Sequence, residues 1–591
     1  MAQLSVLNLL TKLKTMVKDS NEENKGIIAL LSLNWRSTLI IICGGLLCHG
    51  LVMFTDYVLW DGIWIDKHLK MAPHGFDIMV RMWQESGRSY DLIWLAPLKG
   101  LANPAIISKY LSVTSWILSS VLFYFFLISM RIANPTLCLM AAFLAVSAPF
   151  NDLLGDLNQY LYVIPVCFFW AGMLALVVFS EQKTKAQCLV VRILALTLLF
   201  LSFSLASNLV FFCAVFLLYI FANSTGTSLR EYVSRALTQA KSHADFAVLP
   251  FISWGLRRTF YVASGTTKDY NTIHFDVEKI LEVYSTALRS LTGKYEINFS
   301  ESWIWFLSIF LALLTAVVIM RKKTKFRVVS FGRQPSIFIV VGLVLWIAVV
   351  FPYAAVGQYI HAWGWSTRNA VLFNIPYGLF SAGALVQLSR LLLPCRPRAV
   401  WFPIVVVAGL GIGMSNASYL RFQAQGAKQS IIAQTLRDLL SDQKNVSLVQ
   451  LRDYYPLSFT FPFYPTFIWT YLISPQEEMP KTLVIEATIY ALDKVEIDEF
   501  GQSKRIFSEI EVTTTGFERL VSDTTLPYVM DNIPRGGRQL LVVIMPGSLG
   551  SNSVQLGSNY LIKKYFQPGR LNEFLSDLIM IHSKEISSIH E

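Results

Sequence analysis

The sequence predicts an all-α polytopic membrane domain followed by a C-terminal α/β domain. Three observations carry this. Of 591 residues, 54% are hydrophobic and only 15% charged, where a soluble protein is about a quarter charged. Mean hydropathy is +0.48. Several uncharged runs approach or exceed the roughly 18 apolar residues that cross a bilayer, whereas the stretch beyond residue 420 changes to short apolar runs separated by Pro, Gly and charge.

Taken in order, Met1–Gly26 mixes Leu with Lys12, Lys14, Lys18 and Lys25 and has no uninterrupted apolar core. It is therefore not a cleavable signal. Leu4, Leu7, Leu10, Leu13 and Val17 at helical spacing make 1–36 an amphipathic segment on the cytoplasmic membrane surface. Eleven spans follow, at 37–55, 109–130, 134–150, 160–180, 188–205, 207–222, 246–262, 301–320, 336–356, 369–392 and 400–418. The apolar run from Cys188 to Ala222 is too long for one helix, and Ser202, Ser204, Ser207 and Asn208 mark a turn within it. With the N-terminus inside, Lys and Arg collect in the even-numbered loops and are nearly absent from 151–159, 203–207 and 357–368, as the positive-inside rule requires of an odd count. Residues 37–420 then form the membrane domain, with large outer loops at 56–108 and 263–300. Residues 421–591 form an extracytoplasmic domain. Its elements are a helix at Lys428–Gln443, strands at Val446–Leu451, Thr482–Ile485, Ile506–Val512 and Gln539–Ile544, and a closing helix at Leu571–Ile586.

The net charge of +11 lies in the cytoplasmic loops and is not a nucleic-acid signal. The seven cysteines sit in or beside apolar spans and read as small buried hydrophobes. The multi-pass protein is placed in the inner, or plasma, membrane with its N-terminus cytoplasmic.

Chemistry-bearing residues gather in the outer loops. Asp56 and Asp61 follow the first span among Tyr57, Trp60 and Trp64. A carboxylate near apolar rings can have its proton affinity raised, which suits a general base; solvated acids beside an aromatic belt are the plainer reading. His74–Arg88 reads as an amphipathic helix with Phe76, Met79, Val80 and Trp83 on its apolar face, stopped at Gly87. The short second outer loop holds Asn151, Asp152, Asp156 and Asn158. Acids that close to two helix ends commonly face a cavity. Arg257 and Arg258 at the outer end of the seventh span either snorkel to headgroups or meet a lipid phosphate, and that loop continues to Tyr270 and Asn271. His361 and Arg368 precede the tenth span, where Arg368 can present a cation to a phosphate.

The first outer loop, with acids directly after span one, an amphipathic helix and the Gly87-Arg88 step before span two, resembles the GT-C superfamily of membrane glycosyltransferases. Glu85-Ser86-Gly87-Arg88 is similar to a segment of bacterial members that decorate surface glycans. Leu249-Pro250-Phe251 to Tyr270-Asn271, and Phe351-Pro352-Tyr353 to Trp365-Ser366-Thr367-Arg368-Asn369, are similar to segments of bacterial membrane proteins of this type. The likeness covers about residues 35–420. It departs from the family's adjacent acid pair, since four residues separate Asp56 from Asp61. The resemblance implies sugar transfer from a polyprenyl-phosphate carrier to an extracytoplasmic glycan or lipid acceptor, within membrane lipid. Asp56 or Asp61 would be the base. Arg368, with Arg257 or Arg258, would stabilise the leaving phosphate, and Arg88, Asp152, Asp156, Tyr270, Asn271 and His361 would join the substrate site. No cofactor is required; a divalent metal between the first two outer loops is allowed.

Two other classes compete. A transporter or flippase should place ionisable groups at mid-bilayer and show an inverted repeat, and neither is visible. A non-catalytic component would use the outer domain for binding alone.

Overall fold

The computed structural model describes residues 27–59, 61–179, 184–224, 228–264, 276–299, 303–321, 334–361, 365–392, 400–442, 446–453, 538–550 and 552–586, with residues 273, 457 and 472 and short pieces at 483–488, 496–497 and 503–504. The amphipathic segment expected within 1–36, up to residue 26, lies outside the described residues, as does the strand expected at Ile506–Val512.

The helices are α1 (Ile27–His49), α2 (Asp61–Lys70), α3 (His74–Glu85), α4 (Pro104–Ser129), α5 (Pro135–Val146), α6 (Leu157–Phe179), α7 (Lys185–Ser202), α8 (Ser207–Asn223), α9 (Leu229–Ser242), α10 (Ala244–Phe260), α11 (Val277–Phe299), α12 (Trp303–Arg321), α13 (Gln334–Ala354), α14 (Asn374–Leu392), α15 (Trp401–Asp442), α16 (Ser553–Phe566) and α17 (Leu571–Leu578). Among the described residues, six helices are long and apolar enough to cross a membrane: Asn34–Phe54, Pro104–Ser129, Leu157–Val178, Lys185–Ser202, Gln334–Ala354 and Trp401–Ser441. Pro135–Val146 and Ser207–Asn223 are shorter apolar helices. The molecule is a mostly helical membrane protein.

The turn expected inside the 188–222 run is present. Chain reversal between α7 and α8 is held by Asn208 Nδ2 donating to Ser202 O at 2.8 Å and Ser202 Oγ donating to Leu199 O at 2.6 Å. Short polar side chains close the turn locally where an unsatisfied backbone would be costly.

Residues 56–108 are more ordered than a loop. Asp61 opens α2, which packs against α3 through Trp64 stacked on Trp83 with ring centres 5.6 Å apart. Met79 is buried on the expected apolar face of α3, and the helix stops at Gly87, whose φ is +67°. Only glycine takes that conformation without strain. Asp66 ties the hairpin to the bundle by accepting from Ala105 N at the start of α4.

Two expectations for the C-terminal part need correction. The helix expected from Lys428 is the continuation of the span at 400–418. α15 runs unbroken for 42 residues, about 60 Å at 1.5 Å per residue, so the boundary expected at 420/421 falls inside one helix. No proline interrupts it after Pro403, and Gly426 lies against Tyr57 Cβ. The closing helix expected over Leu571–Ile586 is α17 followed by strand β6 (Ile579–Ile586). The reason is alternation: Ile579 is buried, Met580 is 49% exposed and Ile581 is half-buried, a period of two that suits pairing on a sheet edge.

The sheet contains β1 (Val446–Asp453), β2 (Leu483–Thr488), β5 (Arg538–Pro546) and β6 in the order β2-β1-β5-β6; β3 (Glu496–Ile497) and β4 (Ser503–Lys504) form a separate pair. β1 runs parallel to β2 and β5, and β6 returns antiparallel along β5. Lys428 of α15 pairs with Asp453 of β1, both fully buried. α16 lies on α15 at Gly557, where a Cβ would come within 2.0 Å of Leu420 O. One helix thus joins the membrane domain rigidly to the sheet.

Removing one partner of a buried ion pair strands the other charge, at a cost of about 3–5 kcal/mol, whereas replacing both by apolar groups is often neutral. Lys428→Met alone should lower the melting temperature of the detergent-purified protein. The double variant Lys428→Met/Asp453→Leu should recover most of the loss. Equal melting of the single variant and the parent would show that this link does not hold the sheet to α15.

Candidate functional site

The site forms at one end of the bundle, where the chain leaves α1. Lys109, in the second turn of α4, is buried. Its Nζ donates to Thr55 O at 3.0 Å, Thr55 Oγ1 at 3.3 Å and Tyr57 O at 2.6 Å, and stands 4.4 Å from the Tyr57 ring centre. This ammonium fixes the segment that carries Asp56.

Asp56 is fully engaged. Its Oδ1 accepts from Gln423 Nε2 at 2.5 Å, and its own N–H donates to Gln423 Oε1 at 3.0 Å. Its Oδ2 accepts from Tyr560 OH at 2.8 Å and Lys564 Nζ at 2.6 Å. Burial pushes its pKa up, but the Lys564 ammonium, with the Tyr560 and Gln423 bonds, outweighs it and holds the carboxyl below its usual range. A carboxylate so stabilised is a poor proton acceptor.

Asp61 has the opposite setting. Its Oδ2 lies 4.0 Å from Arg368 Nη1, and 46% of its side chain remains accessible. Burial raises its pKa against the pull of Arg368 and Arg88. Its carboxylate is thus partly accessible and partly desolvated by its surroundings. At 4.0 Å the pair is coupled electrostatically without a direct hydrogen bond.

Behind Asp61 lies Asp156, 1% exposed. Its Oδ1 accepts from Leu59 N at 3.0 Å and its Oδ2 from Asn158 N at 3.2 Å. A Cβ on Gly62 would fall 2.3 Å from Asp156 Oδ1, so glycine is what lets α2 start against this carboxylate. Burial, opposed by the two N–H donors and reinforced by the charge of Asp61, raises Asp156 to about 7. Asp152 is buried on the same short loop.

The cations are oriented from behind. Arg88 pairs with Asp91 through Nε at 2.9 Å and Nη2 at 2.8 Å. Arg257 lies 4.1 Å from the Tyr90 ring centre, donates to Tyr90 OH at 3.3 Å and bonds to Phe203 O. The Gly87 turn fits beneath Tyr261 and Ala263, and Ser264 N donates to Glu85 O at 2.7 Å. That seam holds Arg88 and Arg257 near Tyr90 and Asp91.

Of the residues expected at the site, Asp61, Arg88, Asp152, Asp156, Arg257 and Arg368 belong to this neighbourhood. Arg258 is exposed beside Trp254, 5.9 Å from its ring centre, on a different face of α10. His361 is half-buried next to Tyr359, and burial lowers its pKa. Tyr270 and Asn271 lie outside the described residues. Among the described residues, no group of three or more His, Cys, Asp or Glu is placed to hold a metal ion.

Sequence reasoning missed Lys109, Gln423, Tyr560 and Lys564. Lys109 was readable as a lone cation inside an apolar helix. Gln423 and the Tyr560/Lys564 pair had no local signal, since they meet Asp56 from 367 and 504 to 508 residues away. No family model matches the chain, and no curated protein matches it.

The raised Asp156 gives a pH test. An acid whose folded pKa exceeds its unfolded value favours folding at low pH, and loses that contribution as pH rises from about 4 to about 7. Asp156→Asn removes the titration and keeps the shape. The variant should therefore melt higher than the parent at pH 8, with the gap shrinking towards pH 5. A gap independent of pH would show that Asp156 does not titrate in this window.

Proposed function

We propose that this protein is an integral membrane glycosyltransferase of the GT-C type, with about eleven spans and an extracytoplasmic C-terminal domain. It would move a sugar from a polyprenyl-phosphate carrier to an extracytoplasmic glycan or lipid acceptor. The observation that carries the reading is Asp61 facing Arg368 across 4.0 Å, with Arg88 in electrostatic reach and Arg257 beside Tyr90 and Asp91.

The chemistry balances with these groups. The acceptor hydroxyl oxygen attacks the anomeric carbon, and its proton passes to Asp61. The carbon–oxygen bond to the lipid phosphate breaks, and the phosphate leaves with the electron pair. Arginines suit that leaving group because their forked donors match phosphate oxygens and stabilise charge as it develops. Asp61 is the better base of the two first-loop acids, because its pKa is raised and Asp56 already accepts three side-chain donors. Asp156 stands close behind Asp61, and it is the charge of Asp61 that helps raise it.

A positioned base contributes about 10²–10⁴ in rate. Asp61→Asn should therefore reduce transfer of labelled sugar from a polyprenyl-phosphate donor, in membranes containing equal amounts of protein, by about 100-fold or more. Arg368→Ala should do the same, and Asp56→Asn should cost far less. Full transfer by Asp61→Asn would remove the reading.

A further inference from the structure

The exposed end of α16 has no role in the site just described. Ile562, Tyr565 and Phe566 are 45%, 49% and 82% exposed. Spaced i, i+3 and i+4, they form one stripe on the helix. Earlier in the helix Val554, Leu556, Gly557 and Leu561 are buried, so the apolar exposure is confined to its last turns. Phe566 is far more exposed than a soluble domain needs, and it does not stand alone.

The stripe continues a surface that already faces lipid. On α1 the exposed residues Leu39, Cys43, Leu46 and Leu47 lie on one side of the span, which ends at Phe54, 55% exposed. Tyr565 joins that end directly. Its OH donates to Phe54 O at 2.8 Å, and the two rings meet edge to face at 6.1 Å. The last turn of α16 thus lies beside the end of the apolar span at Phe54. Tyrosine and phenylalanine at that height, with cations next to them, match the membrane interface. Lys563 and Arg570 flank the stripe, and residues 565–570 are all exposed.

We infer that the C-terminal end of α16 is a membrane-contact surface. Ile562, Tyr565 and Phe566 enter the headgroup–acyl boundary of the leaflet at the site's end of the bundle, and Lys563 and Arg570 meet lipid phosphates. The C-terminal domain therefore rests on the bilayer as well as on α15. This rests on the membrane span ending at Phe54 and is independent of the transferase reading, so either can fail alone.

The test places 4-trifluoromethyl-phenylalanine at position 566 of the full chain, in nanodiscs of phosphatidylethanolamine and phosphatidylglycerol. Fluorine relaxation is then compared between a nitroxide attached high on the lipid acyl chain and a water-soluble gadolinium chelate. The same label at position 54 is the membrane reference. At 82% exposure the label does not disturb packing. The proposal expects relaxation at 566 to be dominated by the lipid nitroxide, within about twofold of position 54. Dominance of the gadolinium chelate would show that the stripe faces water. Weak relaxation by both would show that a second copy or another protein covers it. Either result overturns the proposal.

Discussion

Everything at the polar end of this molecule depends on one buried ammonium. Lys109 sits in an apolar helix, where an unpaired charge would be prohibitive. It is tolerated because Thr55 O, Thr55 Oγ1 and Tyr57 O surround it, with Asp56 and Asp156 as nearby counter-charges. The same bonds satisfy carbonyls that the chain exposes as it leaves α1, at a depth where water is scarce. A single side chain thus holds the exit of the first span at the head of α4, the second candidate span among the described residues, and fixes the direction in which the following residues leave.

That fixed exit divides two acids five positions apart. Asp56 turns towards α15 and α16 and becomes a fastening between the membrane domain and the C-terminal domain. Asp61 opens α2 and lies near Arg368, Arg88 and the buried Asp156. Identical side chains receive opposite shifts because one is saturated with donors and the other is desolvated at a distance from its cation. Environment sets proton affinity here, as it does wherever paired carboxylates take different roles.

The sequence made some of this legible and hid the rest for physical reasons. Helices at the expected spans, the turn at Ser202–Asn208 and the stop at Gly87 are local features, written in hydrophobic runs and in residues with special backbone freedom. The role of Asp56 is not local, since its partners arrive from Gln423, Tyr560 and Lys564. The unbroken course of α15 was hidden because polar residues after 420 resemble a new amphipathic helix, although a helix leaving a membrane must become polar on emerging. The closing strand was hidden because a short apolar run reads equally as helix or strand, and only pairing with β5 decides it.

Two of the site's arginines are held in place by the protein itself. Arg88 is held by a buried carboxylate and Arg257 by a tyrosine ring and a backbone carbonyl, so their orientation is set before any ligand arrives. Orientation set in advance is what makes fixed charges effective, because no reorganisation is required when an anion enters. Asp91 draws off part of Arg88's charge, yet its own pKa is raised by burial against that pull. With bonds of 2.9 and 2.8 Å the two form a close ion pair that fixes the guanidinium in place. Arg368 differs in facing Asp61 across a gap of 4.0 Å. The two side chains set a carboxylate and a guanidinium side by side, and the proposed transfer rests on that pairing.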